Sequence, residues 1–289
     1  MMRPLAIEER EFVIEDESDA LRTIRGRISY PAGAETSSTG CAFVLVLHGF
    51  KGFMDWGFYP ELTRRLVEAG LGVVRFNFSG SGHGARPLEF TEERAFFENT
   101  PSRELEDVER VRAWLEARAV PWLDLARGAL LGHSLGGAVA LIHAADRLDY
   151  RAVVAWASVS TFRRFPPEVE AQWRRQGFIE IPNVRTKEVH RLGLGWLEDQ
   201  ERHPRRLDVH GACRRMNAPV LFLHGSHDEA VPTSEGESLY RACAPGLARW
   251  EVLPGANHTF GATHPLPGIT SALEHVLSRT REHLVAHLL

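Results

Sequence analysis

The feature that most constrains this chain is a serine between two glycines, where an apolar run meets a helix-forming run. The pattern is Gly-x-Ser-x-Gly at residues 132–136, with leucines before it and the helix formers of residues 138–145 after it. This order predicts a strand, a tight turn and a helix, with Ser134 at the tip of the turn. Gly132 and Gly136 are expected because a Cβ atom would clash where the strand folds back onto the helix. The free N–H groups at the start of such a helix would point at the serine, so Ser134 is a candidate nucleophile.

Apolar segments recur on both sides of that turn, and they alternate with segments of helical character. Continuous apolarity is typical of a strand that is covered on both faces of a sheet. Strands are predicted at residues 11–15, 22–31, 42–47, 72–78, 128–131, 152–159, 219–225 and 249–253. Helices are predicted at residues 56–69, from 100 onward, from 135 onward, at 233–244 and at 269–288. The alternation predicts an α/β fold with a mostly parallel central sheet of about eight strands and helices on both faces.

The stretch 161–210 interrupts this alternation. It is rich in Arg, Trp and Pro, and it shows a few helical pieces but no apolar run of a core strand. We therefore expect a lid inserted between the two parts of one core domain, residues 1–160 and 211–289. Aromatic side chains of the lid would help to shape a substrate pocket; they are Phe162, Phe165, Trp173, Phe178 and Trp196. The alternative for this stretch is a surface for homodimer formation.

The composition argues against several classes of partner. The net charge is −4, so nothing suggests binding to nucleic acid or to an anionic membrane surface. Three scattered cysteines favour a reducing compartment over a disulfide framework. The apolar runs are far shorter than a membrane-spanning helix, and the first residues lack the apolar segment of a signal peptide. A cytoplasmic location without membrane contact is the expectation.

Two further side chains could complete a nucleophilic site, because a serine hydroxyl needs a base and the base needs a group that orients it. Asp228 and His258 each come directly after one of the last two predicted strands. In a parallel sheet, the loops after such strands meet at the carboxyl edge, where the turn of Ser134 also lies. The rival residues are Glu229 and Asp208 for the acid and His264 for the base.

The chain order Ser134, Asp228, His258 resembles that of the α/β-hydrolase family. The resemblance extends over nearly the whole chain, from about residue 10 onward. It implies that Ser134 is the nucleophile, that His258 is the general base and then the general acid, and that Asp228 orients His258. It also implies an oxyanion hole formed by the backbone N–H groups of Phe50 and Leu135.

Two loops narrow the resemblance. Residues 48–50 (His-Gly-Phe) and 77–82 (Asn-Phe-Ser-Gly-Ser-Gly) are similar to loops of bacterial cinnamoyl and feruloyl esterases and of the dienelactone-hydrolase-like group. Dienelactone hydrolases proper use a cysteine nucleophile, whereas Ser134 stands at that position here. The glycine-rich loop 79–84 lacks the Gly-Lys-Ser/Thr ending of a phosphate-binding loop, so we expect it to line the substrate pocket.

The expected function is hydrolysis of carboxylic esters with short to medium or aromatic acyl groups, through an acyl-enzyme. The resemblance implies a small-molecule ester as the partner, and no cofactor or metal. His224, His227 and Asp228 lie close in sequence, but no fourth ligand accompanies them at a spacing typical of metal sites. Two alternatives stay open: a thioesterase or serine peptidase with the same three side chains, and a non-catalytic binding protein that kept the fold.

Overall fold

A central sheet organises the chain in this computed structural model, which describes residues 6–36, 40–118, 120, 122–183 and 187–289. Residues 1–5 of the predicted core domain and 184–186 of the predicted lid lie outside the described residues. The strands of the described part are β1 (Ile7–Ile14), β2 (Ile24–Pro31), β3 (Cys41–Leu47), β4 (Gly72–Asn77), β5 (Leu123–His133), β6 (Ala152–Trp156), β7 (Phe178–Pro182), β8 (Val189–Gly193), β9 (Val220–Gly225) and β10 (Ala248–Leu253). Eight of them form one sheet in the order β1-β2-β4-β3-β5-β6-β9-β10.

Parallel pairing dominates this sheet. Every neighbouring pair from β4 through β10 is parallel, and only β1 and β2 add antiparallel pairs at one edge. The residues of β3, β6 and β9 are buried along their whole length, which explains their nearly continuous apolar sequences. The predicted fold class, a mostly parallel sheet of eight strands, is confirmed.

Helices cover both faces of the sheet. Those of the described residues are α1 (Tyr59–Glu68), α2 (Glu93–Phe97), α3 (Pro101–Arg118), α4 (Leu135–Arg147), α5 (Pro167–Gln176), α6 (Gly195–Arg202), α7 (Val209–Arg215), α8 (Thr233–Ala242) and α9 (Ser271–Leu288). Val44 of β3 lies in one core cluster with Leu62 of α1 and Leu277 of α9, whereas the next residue, Leu45, lies in a second cluster with Leu141 of α4 on the opposite face. Within the described ranges, no helix combines the length and the apolar character needed to cross a bilayer.

The strand that follows the serine turn ends earlier than predicted. β6 ends at Trp156 instead of continuing to residue 159. The carbonyl of Trp156 accepts a hydrogen bond from the N–H of Ser134 at 2.8 Å, and Val159 N–H donates back to the Ser134 carbonyl at 3.3 Å. The chain leaves the strand at Ala157, whose φ is 43°. The apolar run 152–159 therefore combines a strand with a segment that is hydrogen-bonded to the backbone of the serine turn.

The stretch 161–210 contains α5, α6 and a hairpin of β7 and β8. The hairpin strands pair antiparallel with each other, and the described residues show no pairing of either with the central sheet. The sequence analysis found helical pieces here and did not predict the hairpin. Its five-residue strands carry mostly exposed or half-exposed side chains, so no apolar run marks them.

Candidate active site

The serine turn has the strained geometry that its glycines predicted. Ser134 has φ of 57° and ψ of −117°, a backbone conformation that side-chain-bearing residues rarely adopt. A Cβ on Gly132 would lie 2.0 Å from the Gly136 carbonyl oxygen, and a Cβ on Gly136 would lie 2.5 Å from the carbonyl oxygens of Leu47 and His48. Backbone atoms occupy both places, so neither glycine can be replaced without moving β3, β5 or α4.

Asp228 and His258 come together beside this turn. Nδ1 of His258 lies 2.7 Å from Oδ2 of Asp228, and the Asp228 side chain is fully buried. Oδ1 of Asp228 accepts hydrogen bonds from the N–H groups of Ala230 (2.9 Å) and Val231 (2.8 Å). An ionised carboxylate can only accept hydrogen bonds. The neutral imidazole of His258 therefore carries its proton on Nδ1, which leaves Nε2 as the acceptor.

A second histidine, His224, shares the same carboxylate. Its Nε2 lies 2.8 Å from the Val231 carbonyl and 3.2 Å from Oδ2 of Asp228. Burial raises the pKa of Asp228, but the hydrogen bonds from His224 and His258 outweigh burial and hold the pKa of that carboxyl well below its usual range. Asp228 is therefore ionised at every pH at which His258 can act as a base. The sequence showed His224 close to Asp228 along the chain, but it did not predict this contact with the carboxylate.

His133 fixes the loop that carries His258. Its Nε2 donates a hydrogen bond to the backbone carbonyl of His258 at 2.9 Å, and the two imidazole rings lie 4.7 Å apart. Burial lowers the pKa of His133 to about 3, with a smaller effect from His258. His133 is thus a neutral, buried donor that joins the serine turn to the histidine loop. The sequence pattern did not predict this role, since His133 occupies a variable position of the Gly-x-Ser-x-Gly motif.

The loop after β3 runs directly beside the serine. A Cβ on Gly49 would lie 3.1 Å from Cβ of Ser134, so Phe50 follows within reach of the same space. Two hydrogen bonds of His48 fix this loop. Its Nδ1 donates to the Gly49 carbonyl at 2.9 Å, and its Nε2 accepts from Phe78 N–H at 3.2 Å. Burial lowers the pKa of His48 to about 4, so the ring stays neutral and keeps this bonding pattern.

Ser134 and His258 open into one cavity of about 600 Å³. Its described walls are formed by Gly49, Phe50, Lys51, Gly52, Trp56, Tyr59, His133, Ser134, Asn183, His258, Thr259, Ala262, Thr263 and His264. Asn183 is the one described residue of the stretch 161–210 in that set. The aromatic side chains of that stretch are not in it: Trp173 and Trp196 are buried, and Trp196 reaches the cavity wall only by packing against Phe50 at 5.4 Å.

The rival residues of the sequence analysis fall elsewhere. Glu229 is exposed, and Asp208 caps the N-terminus of α7 through the N–H of Gly211. His264 borders the cavity, but its Nδ1 accepts a hydrogen bond from Gly57 N–H at 3.0 Å, whereas Nδ1 of His258 contacts Asp228.

The expectation that the glycine-rich loop 79–84 lines the pocket was wrong. Its residues are not part of the cavity wall. The loop is held inward instead, because the N–H of Ser79 donates to the buried carboxylate of Asp107 at 2.7 Å. A Cβ on Gly80 would lie 2.1 Å from Oδ1 of Asn99, so this glycine is required for close packing.

The described residues contain no group of three or more His, Cys, Asp or Glu side chains placed to hold a metal ion.

The fold and this arrangement agree with a comparison of families. The model of the Alpha/beta hydrolase family matches residues 44–269, and the chain belongs to that family. The match begins within β3 and covers the strands β4 to β10, the serine turn and the loops of Asp228 and His258.

Individual relatives are more distant. An uncharacterized protein of Mycobacterium tuberculosis is 28% identical over 230 residues, which cover 77% of this chain and 65% of that protein. The chain therefore spans about two thirds of that relative's length. Among solved structures, Est1E from Butyrivibrio proteoclasticus with bound ferulic acid has a TM-score of 0.69 at 18% identity, covering 92% of this chain and 95% of that one. A dienelactone hydrolase from Anabaena variabilis has a TM-score of 0.63 at 17% identity, covering 98% and 99% of the two chains. The suspected resemblance to the α/β-hydrolase family is confirmed by the family match, and these two solved structures share its fold.

Proposed function

We propose that this protein is a serine hydrolase that cleaves carboxylic esters through an acyl-enzyme. The observation that carries the proposal is the junction of three features at one cavity. Ser134 stands on a strained turn, His258 borders the same cavity, and a buried, ionised Asp228 holds Nδ1 of His258 at 2.7 Å. A carboxylate that fixes the imidazole tautomer prepares Nε2 to take a proton from a serine hydroxyl.

In the proposed reaction, Oγ of Ser134 attacks the ester carbonyl while Nε2 of His258 takes the hydroxyl proton. The negative charge that develops on the carbonyl oxygen is stabilised by the N–H groups of Phe50 and Leu135. Leu135 is the first residue of α4, where N–H groups lack intrahelical partners and the helix dipole is positive. The imidazolium of His258 then gives its proton to the departing alcohol. A water molecule, activated by His258, releases the acid and restores Ser134.

The cavity supports short to medium or aromatic acyl groups. Its volume of about 600 Å³ lies in the range of small-molecule sites, and Phe50, Trp56 and Tyr59 give it aromatic walls. Est1E, one of the structural relatives, is named with ferulic acid bound to it. We also propose that the stretch 161–210 acts as a lid, since it borders this cavity through Asn183.

The test compares hydrolysis of p-nitrophenyl esters, from acetate to decanoate, by the wild type and by Ser134→Ala. The proposal expects turnover by the wild type, with a chain-length optimum that reports the size of the cavity, and no turnover above background by the variant. Thioesters and peptide chromogens are assayed in parallel, because the same three side chains could act on either bond. A preference for one of these over every ester would replace the proposal, and wild-type activity in Ser134→Ala would refute it.

A further inference from the structure

The walls of the active-site cavity carry an unbalanced charge. Of the described residues that border the cavity, Lys51 is the one Lys or Arg, and none is an Asp or Glu. Lys51 directly follows Phe50, whose N–H belongs to the proposed oxyanion hole. Its side chain is partly exposed to solvent and borders the same cavity as Ser134. A substrate bound in this cavity at Ser134 therefore shares the cavity with an ammonium group.

This ammonium group has no carboxylate partner in the described part of the chain. Nζ of Lys51 donates to the backbone carbonyl of Pro182, in the hairpin of β7 and β8, at 3.1 Å. No described ion pair within 4.0 Å includes Lys51. An ammonium group has three N–H donors, so two remain for a ligand while the contact with Pro182 persists. Burial lowers the pKa of Lys51, which indicates a partly desolvated charge that a nearby anion would stabilise.

Lysine is rare in this protein. The chain has 34 Lys and Arg residues, of which only Lys51 and Lys187 are lysines. Arginines elsewhere pair with carboxylates on the surface, as Arg64 does with Glu61 and Glu68. Lys51 thus differs from these paired arginines in residue type and in partner, and from every other Lys and Arg of the described residues in its place on the cavity wall.

We propose that Lys51 binds a carboxylate of the substrate, so that the site prefers esters that carry a carboxylate besides the bond that is cleaved. This proposal rests on the proposed esterase function, because it names the class of ester that the same site would prefer. One ammonium group matches the single charge of a carboxylate better than a phosphate monoester, which carries about −1.5 to −2 at neutral pH. A charge-assisted hydrogen bond in a half-open site is expected to change kcat/KM by about tenfold.

The experiment uses two pairs of esters that differ only in charge. In the first pair, p-nitrophenyl hydrogen adipate is compared with the p-nitrophenyl ester of the chain-matched acid that ends in an isopropyl group. In the second pair, the acetate ester of p-hydroxybenzoate is compared with that of p-hydroxybenzamide. The first pair places the carboxylate on the acyl side and the second on the alcohol side. The proteins are the wild type, Lys51→Met, Lys51→Arg and the matched control Lys187→Met.

The wild type is expected to prefer the charged member of at least one pair by about tenfold in kcat/KM, mainly through KM. Lys51→Met abolishes that preference, Lys51→Arg keeps most of it, and Lys187→Met behaves as the wild type does. High salt weakens the preference, because the charge is partly exposed. Equal kcat/KM for both members of both pairs, or the same loss of preference in Lys187→Met, overturns the inference and leaves the proposed esterase function intact.

Binding separates failure of the inference from failure of the esterase proposal. Adipate and p-hydroxybenzoate are titrated calorimetrically into Ser134→Ala and into the double variant Ser134→Ala, Lys51→Met. If no ester is hydrolysed by the wild type, the esterase proposal fails. Weaker binding of either carboxylate in the double variant still supports the role of Lys51, and undetectable or equal binding in both proteins overturns it.

Discussion

Replacing Asp228 with Asn keeps the shape of the side chain and tests which atoms the site needs. Oδ1 of Asp228 accepts from the N–H groups of Ala230 and Val231 at 2.9 and 2.8 Å, so the amide oxygen of Asn takes that position. The amide NH2 group then faces Nδ1 of His258, which now lies 2.7 Å from Oδ2. The opposite orientation would set the NH2 group against these two backbone donors and lose both hydrogen bonds, each worth about 0.5–1.5 kcal/mol.

An NH2 group can only donate, so His258 in Asp228→Asn must carry its proton on Nε2. That atom has to accept the proton of Ser134, and the imidazole then has the wrong tautomer for a base. We expect kcat to fall about 10⁴-fold, the order found when the acid of such a triad is changed to its amide, which is about 5.4 kcal/mol at 1.36 kcal/mol per factor of ten. The NH2 group also meets Nε2 of His224, so some loss of stability accompanies the loss of activity.

The assay is steady-state hydrolysis of p-nitrophenyl butyrate, with far-UV circular dichroism to check that the variant is folded. Glu229→Gln is the matched control, since Glu229 is the adjacent, exposed acid and the same chemical change there is expected to leave kcat unchanged. A folded Asp228→Asn variant whose kcat lies within about tenfold of the wild type would refute the orienting role of Asp228.

Three further changes test neighbouring parts of the site and the core. Gly132→Ala places a Cβ 2.0 Å from the Gly136 carbonyl oxygen, and it is expected to lower the free energy of unfolding by about 2–3 kcal/mol and the Tm by about 5–10 °C in thermal melts. His133→Leu leaves the His258 carbonyl without its donor, and it is expected to lower kcat about tenfold without shifting the pH dependence, because burial keeps the pKa of His133 near 3. Burial raises the pKa of Glu104 from 4.5 to about 8, so the folded protein keeps a proton that the unfolded chain releases. The free energy of unfolding should therefore fall as pH rises from about 4.5 to about 8, and Glu104→Gln should flatten that fall in melts across this window.

Each of these changes has a control. Gly268→Ala adds a Cβ with no neighbour within 4 Å, and a Tm loss as large as that of Gly132→Ala would contradict the steric argument. Unchanged kcat in a folded His133→Leu variant would show that the contact with His258 does not position the base. For Glu104, the control is Glu106→Gln on the same helix, where hydrogen bonds from Arg22 and Arg206 outweigh burial and lower the pKa. A flattened pH profile in that control instead would contradict the assignment.

The sheet and the arrangement around the serine could be predicted from the sequence, because both have causes that are local along the chain. The glycines of the serine turn have steric causes within a few residues, as the short distance between a Cβ on Gly132 and the Gly136 carbonyl shows. Buried parallel strands such as β3 require continuous apolar sequences, so their number and rough limits are readable. Asp228 and His258 could then be assigned, because each comes directly after a predicted strand, in a loop at the carboxyl edge of the sheet.

The remaining features depend on contacts that no local pattern encodes. His224 acts on Asp228 because the turn after β9 places Nε2 of His224 near both the Val231 carbonyl and the Asp228 carboxylate, and a histidine before a glycine is equally typical of a packing role. The loop 79–84 turned inward because its partner, Asp107, lies on α3, 28 residues from Ser79. The glycine-rich sequence of this loop led to the prediction that it lines the pocket, whereas its hydrogen bond to the buried Asp107 carboxylate directs it inward.

The most direct test of the central claim, that Ser134 is an activated nucleophile, is labelling with a fluorophosphonate followed by peptide mass spectrometry. The proposal predicts one adduct per chain, on Ser134, that forms in parallel with the loss of ester hydrolysis. Labelling should be much slower in Asp228→Asn, because His258 can no longer take the proton of the serine hydroxyl. An adduct on another serine, or complete loss of hydrolysis without any adduct on Ser134, would contradict the claim.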